Sequence, residues 1–308
     1  MSGMSMIVPL VVTDSILDAT NIPETEHDEF DPLHTYDLHD WVQVTTAGVH
    51  YRYRSVKADN LGNNPLEESD DPEAIPVNWA RAGKTAPWRM FDPFSQASTN
   101  EDSIAVTLNT IGRVDAVAVL GVEAESVQVI VTDSIAGEVY NKTYDLIDHS
   151  LITGFWAYFF QPRAIKRELL ITDLPNIANA NIQVIISRPG GAVSCNNLVI
   201  GRKRDIGGTR YGAEVGINDY SVNKRDAFGN PYLKKRGWTK RSALEVWVTA
   251  GSVDAVNSLL AEYRATPIVW IGAPGYESLV IYGVYNKFRM LISFPTYSIL
   301  TIDNEGFI

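Results

Sequence analysis

The stretches Ile104-Ala-Val-Thr-Leu108, Val127-Gln-Val-Ile-Val131 and Ile182-Gln-Val-Ile-Ile-Ser187 repeat an apolar residue at every second position. A period of two sends alternate side chains to opposite faces of an extended chain, so each stretch predicts a half-buried β-strand. Similar runs stand on either side, at 114–120, 139–144, 155–160, 168–172 and 198–201, separated by turn residues and interrupted by no convincing helix. Eight short strands at this spacing within residues 84–205 predict an antiparallel β-sandwich of jelly-roll size. In the run at 155–160, Trp156, Tyr158 and Phe160 alternate with Ala157 and Phe159, which predicts a strand buried on both faces.

The flanking segments read differently. Residues 31–83 form a small β module: Tyr36-Asp-Leu-His-Asp-Trp-Val-Gln-Val44, a turn at Ala47-Gly48, and the alternating strand Val49-His-Tyr-Arg-Tyr-Arg-Ser-Val56. A polar stretch, Asp59-Asn-Leu-Gly-Asn-Asn-Pro65, an acidic run from Glu67 to Glu73 and a closing Pro76-Val-Asn-Trp-Ala-Arg81 follow. With few aliphatic residues, its core must come from Tyr36, Trp41, Tyr51, Tyr53 and Trp79, and it would be marginal alone. Residues 1–30 are expected to be an N-terminal arm. Their apolar run Met6-Ile-Val-Pro-Leu-Val-Val12 has no partner in its own segment and must pair elsewhere, in this chain or a neighbouring one. As a subunit tether, it is expected to be removable without unfolding the domains. Residues 206–235 read as a Gly-, Asn- and Arg-rich connector that contacts another chain. Residues 236–308 read as a small α+β domain. Its strand Leu244-Glu-Val-Trp-Val248 is followed by a helix capped at Ser252, with Val253, Val256, Leu260 and Tyr263 on one face and Pro267 blocking continuation. The fold class is mainly β.

The 308 residues are 45% hydrophobic and 20% charged, with a formal net charge of −11. Such a surface repels phosphate backbones, so nucleic acid is not an expected partner. The basic stretch Lys234, Lys235, Arg236, Lys240 and Arg241, interrupted by Gly237 and Trp238, reads as a solvated rim or a subunit contact. The single cysteine, Cys195, excludes an internal disulfide and reads as a buried small hydrophobe in a chain assembled in a reducing cytoplasm. No apolar run has the length of a membrane span, and the start lacks the basic region of a signal peptide.

Nothing in the sequence assembles an enzyme. The GxSxG, HExxH, P-loop and GxGxxG motifs are absent. Gly207-Gly208 and Gly212 read as flexible turns. Asp70, Asp71 and Glu73 lie in an exposed run with nothing to raise a pKa for glycoside hydrolysis. Asp59, Asn60, Asn63 and Asn64 offer oxygen atoms, but in an order that does not fit a calcium loop. The five histidines show no zinc spacing. No catalytic residue, metal or cofactor is expected. The aromatic residues carry more weight, because Trp and Tyr rings stack on the apolar faces of sugars. Phe30, Trp41, Tyr51, Tyr53 and Trp79 crowd one module, where core and platform roles compete.

The elements Tyr36-x-x-x-Asp40-x-Val42, Tyr51-x-Tyr53, the stretch from Asn60 to Pro65 and Asn78-Trp79 give residues 29–83 a resemblance to chitin-binding-type carbohydrate-binding modules. Phe30 stands where a Trp is usual, and His39 where a Gly commonly precedes the Asp. The resemblance implies a carbohydrate platform drawn from Phe30, Tyr51 and Trp79. Farther on are Trp88-Arg-Met-Phe-Asp92, Gly154-Phe-Trp-Ala-Tyr-Phe159, Leu198-Val-Ile-Gly201, Asp205-x-Gly207-x-Thr209-x-Tyr211-Gly212 and Asp219-Tyr-Ser221. These resemble tailed-bacteriophage proteins in which such a module precedes a galactose-binding-like jelly roll. The resemblance covers most of residues 6–308. It implies a minor tail, baseplate or fibre-associated protein of the virion. Its partners would be other tail and baseplate proteins and copies of itself, in a homo-oligomer. The alternative is a carbohydrate-binding receptor-recognition protein contacting host surface glycans. A glycan-degrading tailspike would need long β-helix repeats, and none is visible.

Overall fold

The computed structural model of the protein describes residues 3–69, 71, 73–148, 154–156, 164–225 and 228–307. The chain is mainly β, built from antiparallel ladders, with the α-helix Val253–Glu262 near its C-terminal end. Among the described residues no helix is long and apolar enough to cross a membrane. The chain divides into two compact units, one of residues 11–198 and one that joins residues 1–10 to 199–308. This division differs from the five segments expected along the sequence, because backbone hydrogen bonds join stretches that lie far apart in it.

In the unit of residues 11–198, the period-two stretches are strands and they pair with one another. The strand Asn181–Thr209 pairs through residues 181–187 with Ser98–Asn109 on one side and Ser126–Asp133 on the other. The register aligns Ile104, Ile186 and Val127 in one row, Val106, Val184 and Val129 in the next, and Leu108, Ile182 and Val131 in a third. All nine side chains are buried. Cross-strand rows of this kind fix the register, since a slip of one residue would expose every one of them. The ladder extends to Gly137–Asp145 at one edge and Leu17–Thr20 at the other. Ala116–Glu123, buried along most of its length, pairs with Glu168–Ile171. Cys195 is fully buried here, and burial pushes its thiol up to about 12. The strand expected at 155–160 falls mostly outside the described residues. Phe155 and Trp156, which are described, are helical and exposed, so they are not the buried strand residues that the alternation predicts.

The second unit is a closed ring of strands. Gly3–Pro9 lies between residues 201–208 and the strand Ile268–Ile271. Pairing continues through Val280–Leu291, Tyr297–Gly306 and Trp238–Thr249, then returns to the start through Gly208 opposite Trp247 and Thr209 opposite Val246. Six antiparallel strands thus close on themselves, which removes the open edges a flat sheet would leave. Met4, Met6, Ile206, Val246, Trp270 and Leu300 belong to its core, and the helix packs Val256 and Leu260 against them. Residues 236–308 do carry the expected helix and strands, but they supply only four of the six strands. The apolar N-terminal run supplies another. Of the two partners expected for the apolar run of the N-terminal arm, this chain or a neighbouring one, residues 3–9 find theirs in their own chain, as a strand of the barrel.

Two glycines read as a flexible turn prove to be strand residues. A Cβ on Gly207 would sit 2.3 Å from the Trp247 carbonyl oxygen, so the ladder closes only where that side chain is missing. Most described residues of the connector expected at 206–235 are likewise in strands. Glu214–Asp219 pairs with Trp238–Thr249, and Val222–Arg225 pairs with Pro231–Lys234. Between them, Tyr220 N donates to Gly237 O at 3.2 Å. Together they form one long β-hairpin arm. Its base is held by a third strand, since Arg241, Ser242 and Ala243 also pair with Glu305, Asn304 and Asp303. Beyond Trp238 the described arm is only two strands wide.

Candidate functional site

The small module is built on a three-stranded antiparallel sheet, Trp41–Thr46, Val49–Ser55 and Trp79–Lys84. The first two strands meet in a two-residue turn at Ala47 and Gly48, both at positive φ, the twist that tight hairpins require. Gln43 N donates to Asp28 O and Phe30 N to Gln43 O, which ties residues 28–30 to the outer strand. His39 has φ 80°, a left-handed conformation that favours glycine, so the position where the sequence departs from the resembled modules is one where a glycine would fit without strain.

The core of the module is aromatic. Tyr36, Val42, Tyr53 and Trp79 are buried, with Phe30, Val44 and Tyr51 packed partly buried against them. Trp79 is 1% exposed, and its Nε1 donates to Asn63 O at 2.8 Å. The edges of its ring contacts face Phe30 and Tyr36, at centroid distances of 5.8 and 5.1 Å. A ring buried on both faces offers no surface to a ligand, so of the three expected platform residues Trp79 is a core residue. Phe30 and Tyr51 lie on the rim of the same cluster and stay partly exposed. Trp41, expected in the core, is 37% exposed. Val42 takes the inner side of that strand, and period two leaves its neighbour outside. There Trp41 stacks on His27 at 5.1 Å, with the Arg52 and Arg54 guanidinium groups 5.5 and 5.9 Å from its ring.

The polar stretch after the second strand closes the module. Asn60 is buried and donates to Ser55 Oγ and Asn78 O, each at 3.1 Å, while its own Oδ1 accepts from Asn63 Nδ2 at 2.7 Å. Asn64 Oδ1 accepts from Leu66 N and caps the turn Pro65–Glu67. These amides serve as internal hydrogen-bond partners. Among the described residues no group of three or more His, Cys, Asp or Glu is placed to hold a metal ion.

A cleft of about 1140 Å³ runs alongside, lined in part by Tyr51, Arg81, Lys84, Asp92 and Phe94. Arg81 holds its guanidinium 4.0 Å from the centre of the Tyr51 ring. Burial lowers the Lys84 pKa, an effect that Asp92 opposes and Arg81 reinforces. No protein-family model matches the chain, and a search of curated proteins found no match. What this cleft can take is therefore read from its own chemistry: hydrogen-bond donors of both kinds of cation, a carboxylate and two aromatic rings suit a hydroxyl-rich ligand. Arg81 and Lys84 could not be singled out from the sequence, because only the pairing of Tyr53 with Arg81 and Tyr51 with Lys84 brings them beside the tyrosines.

The N-terminal acidic residues are also engaged. Glu24 Oε1 lies 2.8 Å from His50 Nδ1 and accepts a short hydrogen bond from Thr85 Oγ1, while Asp14 Oδ1 lies 3.1 Å from His50 Nε2. Arg89 donates to both carboxylate oxygens of Glu26, at 2.9 and 2.6 Å. On the other flank, Glu68 accepts from the backbone N–H groups of Val77, Asn78 and Trp79 at 3.1, 2.7 and 3.1 Å. Burial works against its ionised form, but these three donors and the Asn78 side chain outweigh burial and hold the carboxyl below its usual range. A depressed pKa contributes stability that is present above the unfolded-state value and is lost as pH falls through the folded-state value. The chain is therefore expected to lose melting temperature on acidification through the carboxylate range. Glu68→Gln should melt lower at neutral pH and show a shallower acid-side slope. Melting curves of both proteins across that range check this, and identical slopes would refute the role of Glu68.

Proposed function

We propose that the protein is a structural, non-enzymatic component of a tailed-bacteriophage virion, placed at the tail tip or baseplate and joining tail or hub to fibres through protein–protein contacts. The observation that carries this is the β-hairpin arm formed by residues 214–243. Val215 and Ile217 are exposed on it, and its outer strand has an unpaired edge among the described residues. Proteins that work alone blunt or cover such edges, so an ordered, exposed arm suits a chain that docks on others. The resemblance of residues 6–308 to phage tail proteins supports the same role. The buried rows on the strands at 98–109, 126–133 and 181–187 are compatible with the galactose-binding-like jelly roll that the resemblance implies. Several copies arranged around a tail axis would give each arm a neighbour. Mass spectrometry of purified infectious particles tests this. The chain should be present in a fixed ratio to other tail proteins, and its absence would overturn the proposal.

A second reading is recognition of host surface glycans, favoured by the cleft beside Tyr51. A single stacked ring contributes on the order of 1 kcal/mol, so one site would bind at roughly millimolar strength, and useful affinity would come from several copies on one particle. A glycan array probed with the whole protein and with Tyr51→Ala tests it.

A further inference from the structure

We infer that the hairpin arm of one copy docks on the acidic small module of a second copy, so that the chain self-associates head to tail. This rests on the proposal that the protein works in several copies, and it names the surfaces that would join them.

The arm lacks what would keep it folded against solvent by itself. Residues 231–238 are exposed in unbroken succession, with Tyr232 at 57% and Leu233 at 71%. On the opposite strand Asn223, Lys224 and Arg225 are exposed as well. A two-stranded ribbon with no face buried is marginal in water, and its apolar side chains gain by being covered.

Charge says what covers it. Residues 222–241 hold seven cations and one carboxylate, a net of +6, which leaves −17 on the rest of the chain. Residues 31–83, the small module, hold nine carboxylates and four cations, a net of −5. Glu24 and Glu26 are occupied by His50 and Arg89, but Asp31, Asp37, Glu67, Asp71 and Glu73 are exposed. Among or just after these carboxylates in sequence stand the exposed apolar residues Leu33, Leu66, Ile75 and Val77. Leu66, Asp71 and Ile75 line one cleft, so this part of the module offers apolar contact for Tyr232 and Leu233 beside charge opposite to that of Lys224, Lys234, Lys235 and Arg236. Both patches lie on every molecule and they differ from each other. The contact between copies is therefore heterologous, and it can propagate around a ring.

Charge-swapped variants of the full chain test this. One variant carries Lys224→Glu, Lys234→Glu, Lys235→Glu and Arg236→Glu. The other carries Glu67→Lys, Asp71→Lys and Glu73→Lys. All seven positions are exposed, so melting temperatures should match the unaltered protein and confirm that both variants fold. Sedimentation velocity of the unaltered chain should show concentration-dependent association that weakens as salt is raised. Each variant alone should associate at least about tenfold more weakly, and an equimolar mixture of the two should recover association, because the reversed arm then meets the reversed module. The inference is overturned if the unaltered chain stays monomeric at low salt, if the arm variant associates as well as the unaltered chain, or if the mixture of variants fails to recover. It is also overturned if the arm binds a DNA oligonucleotide while the chain remains monomeric. Virion membership is measured separately on particles. A monomeric chain found in virions sinks the docking alone, and an associating chain absent from virions sinks the tail role alone.

Discussion

Trp79→Ala will unfold the small module, at a cost of about 3–5 kcal/mol, the range for truncating a buried Trp. The ring is essentially fully buried, its indole N–H is bonded to Asn63 O, and its backbone N–H is held by Glu68. The module has little with which to refill the space. Its buried apolar partners are Tyr36, Val42 and Tyr53, and Tyr36 packs edge-on against the same ring. The denatured residue would also release Asn63, which in turn holds the buried Asn60. Hydrogen exchange over the strands at 41–55 and 79–84 should lose its protection in Trp79→Ala while the strands at 98–109, 126–133 and 181–187 keep theirs. Tyr51→Ala is the informative contrast, because Tyr51 is only partly buried and lies beneath Arg81 at the cleft. It should move the melting temperature much less and, if glycans are bound there, abolish that binding. A Trp79→Ala protein that melts normally would show that the aromatic cluster is not what holds the module together.

Deleting residues 1–9 will unfold the barrel of the second unit. Gly3–Pro9 is hydrogen-bonded along both sides, and Met4, Met6 and Ile7 are fully buried. Replacing one buried Met or Ile by Ala costs about 2–5 kcal/mol. Losing three of them and two ladders together exceeds the roughly 5–15 kcal/mol that holds a typical domain folded. The ring would also be opened between residues 201–208 and Ile268–Ile271, exposing two new strand edges to aggregation. The truncated chain should therefore be insoluble or lack protected amides over residues 268–306. A soluble truncation with the barrel's amides still protected would mean that the N-terminal strand is dispensable and return it to the role of a tether.

Local patterns in the sequence determined the strands at 98–109, 126–133 and 181–187, because alternation at period two is written within a few residues and the buried rows follow from it directly; the same alternation at 155–160 misled, since Phe155 and Trp156 are helical and exposed. The helix at 253–262 was legible in the same way, from one apolar face and the block at Pro267. The aromatic core of the small module could be named from composition alone, since Tyr36, Tyr53 and Trp79 have few aliphatic neighbours to displace them. Which rings stayed outside could not. Trp41 and Val42 are adjacent, and only the pairing of Trp41 with Arg54 decides that Val42 faces inward. The barrel was invisible for a stronger reason: Gly3–Pro9 finds its partners at residues 201–208 and 269–271, and no local periodicity records a hydrogen bond at that separation. The glycines that permit its closure look like turn residues until a facing carbonyl shows why a side chain is excluded. Residues 206–235 read as a connector, although the arm at 214–243 draws on them, because strands exposed on both faces lose the alternation by which strands are recognised. Chain sequence fixed which residues prefer extended backbone and burial. Long-range backbone pairing alone decided where the chain closes on itself and which described strand keeps an unpaired edge.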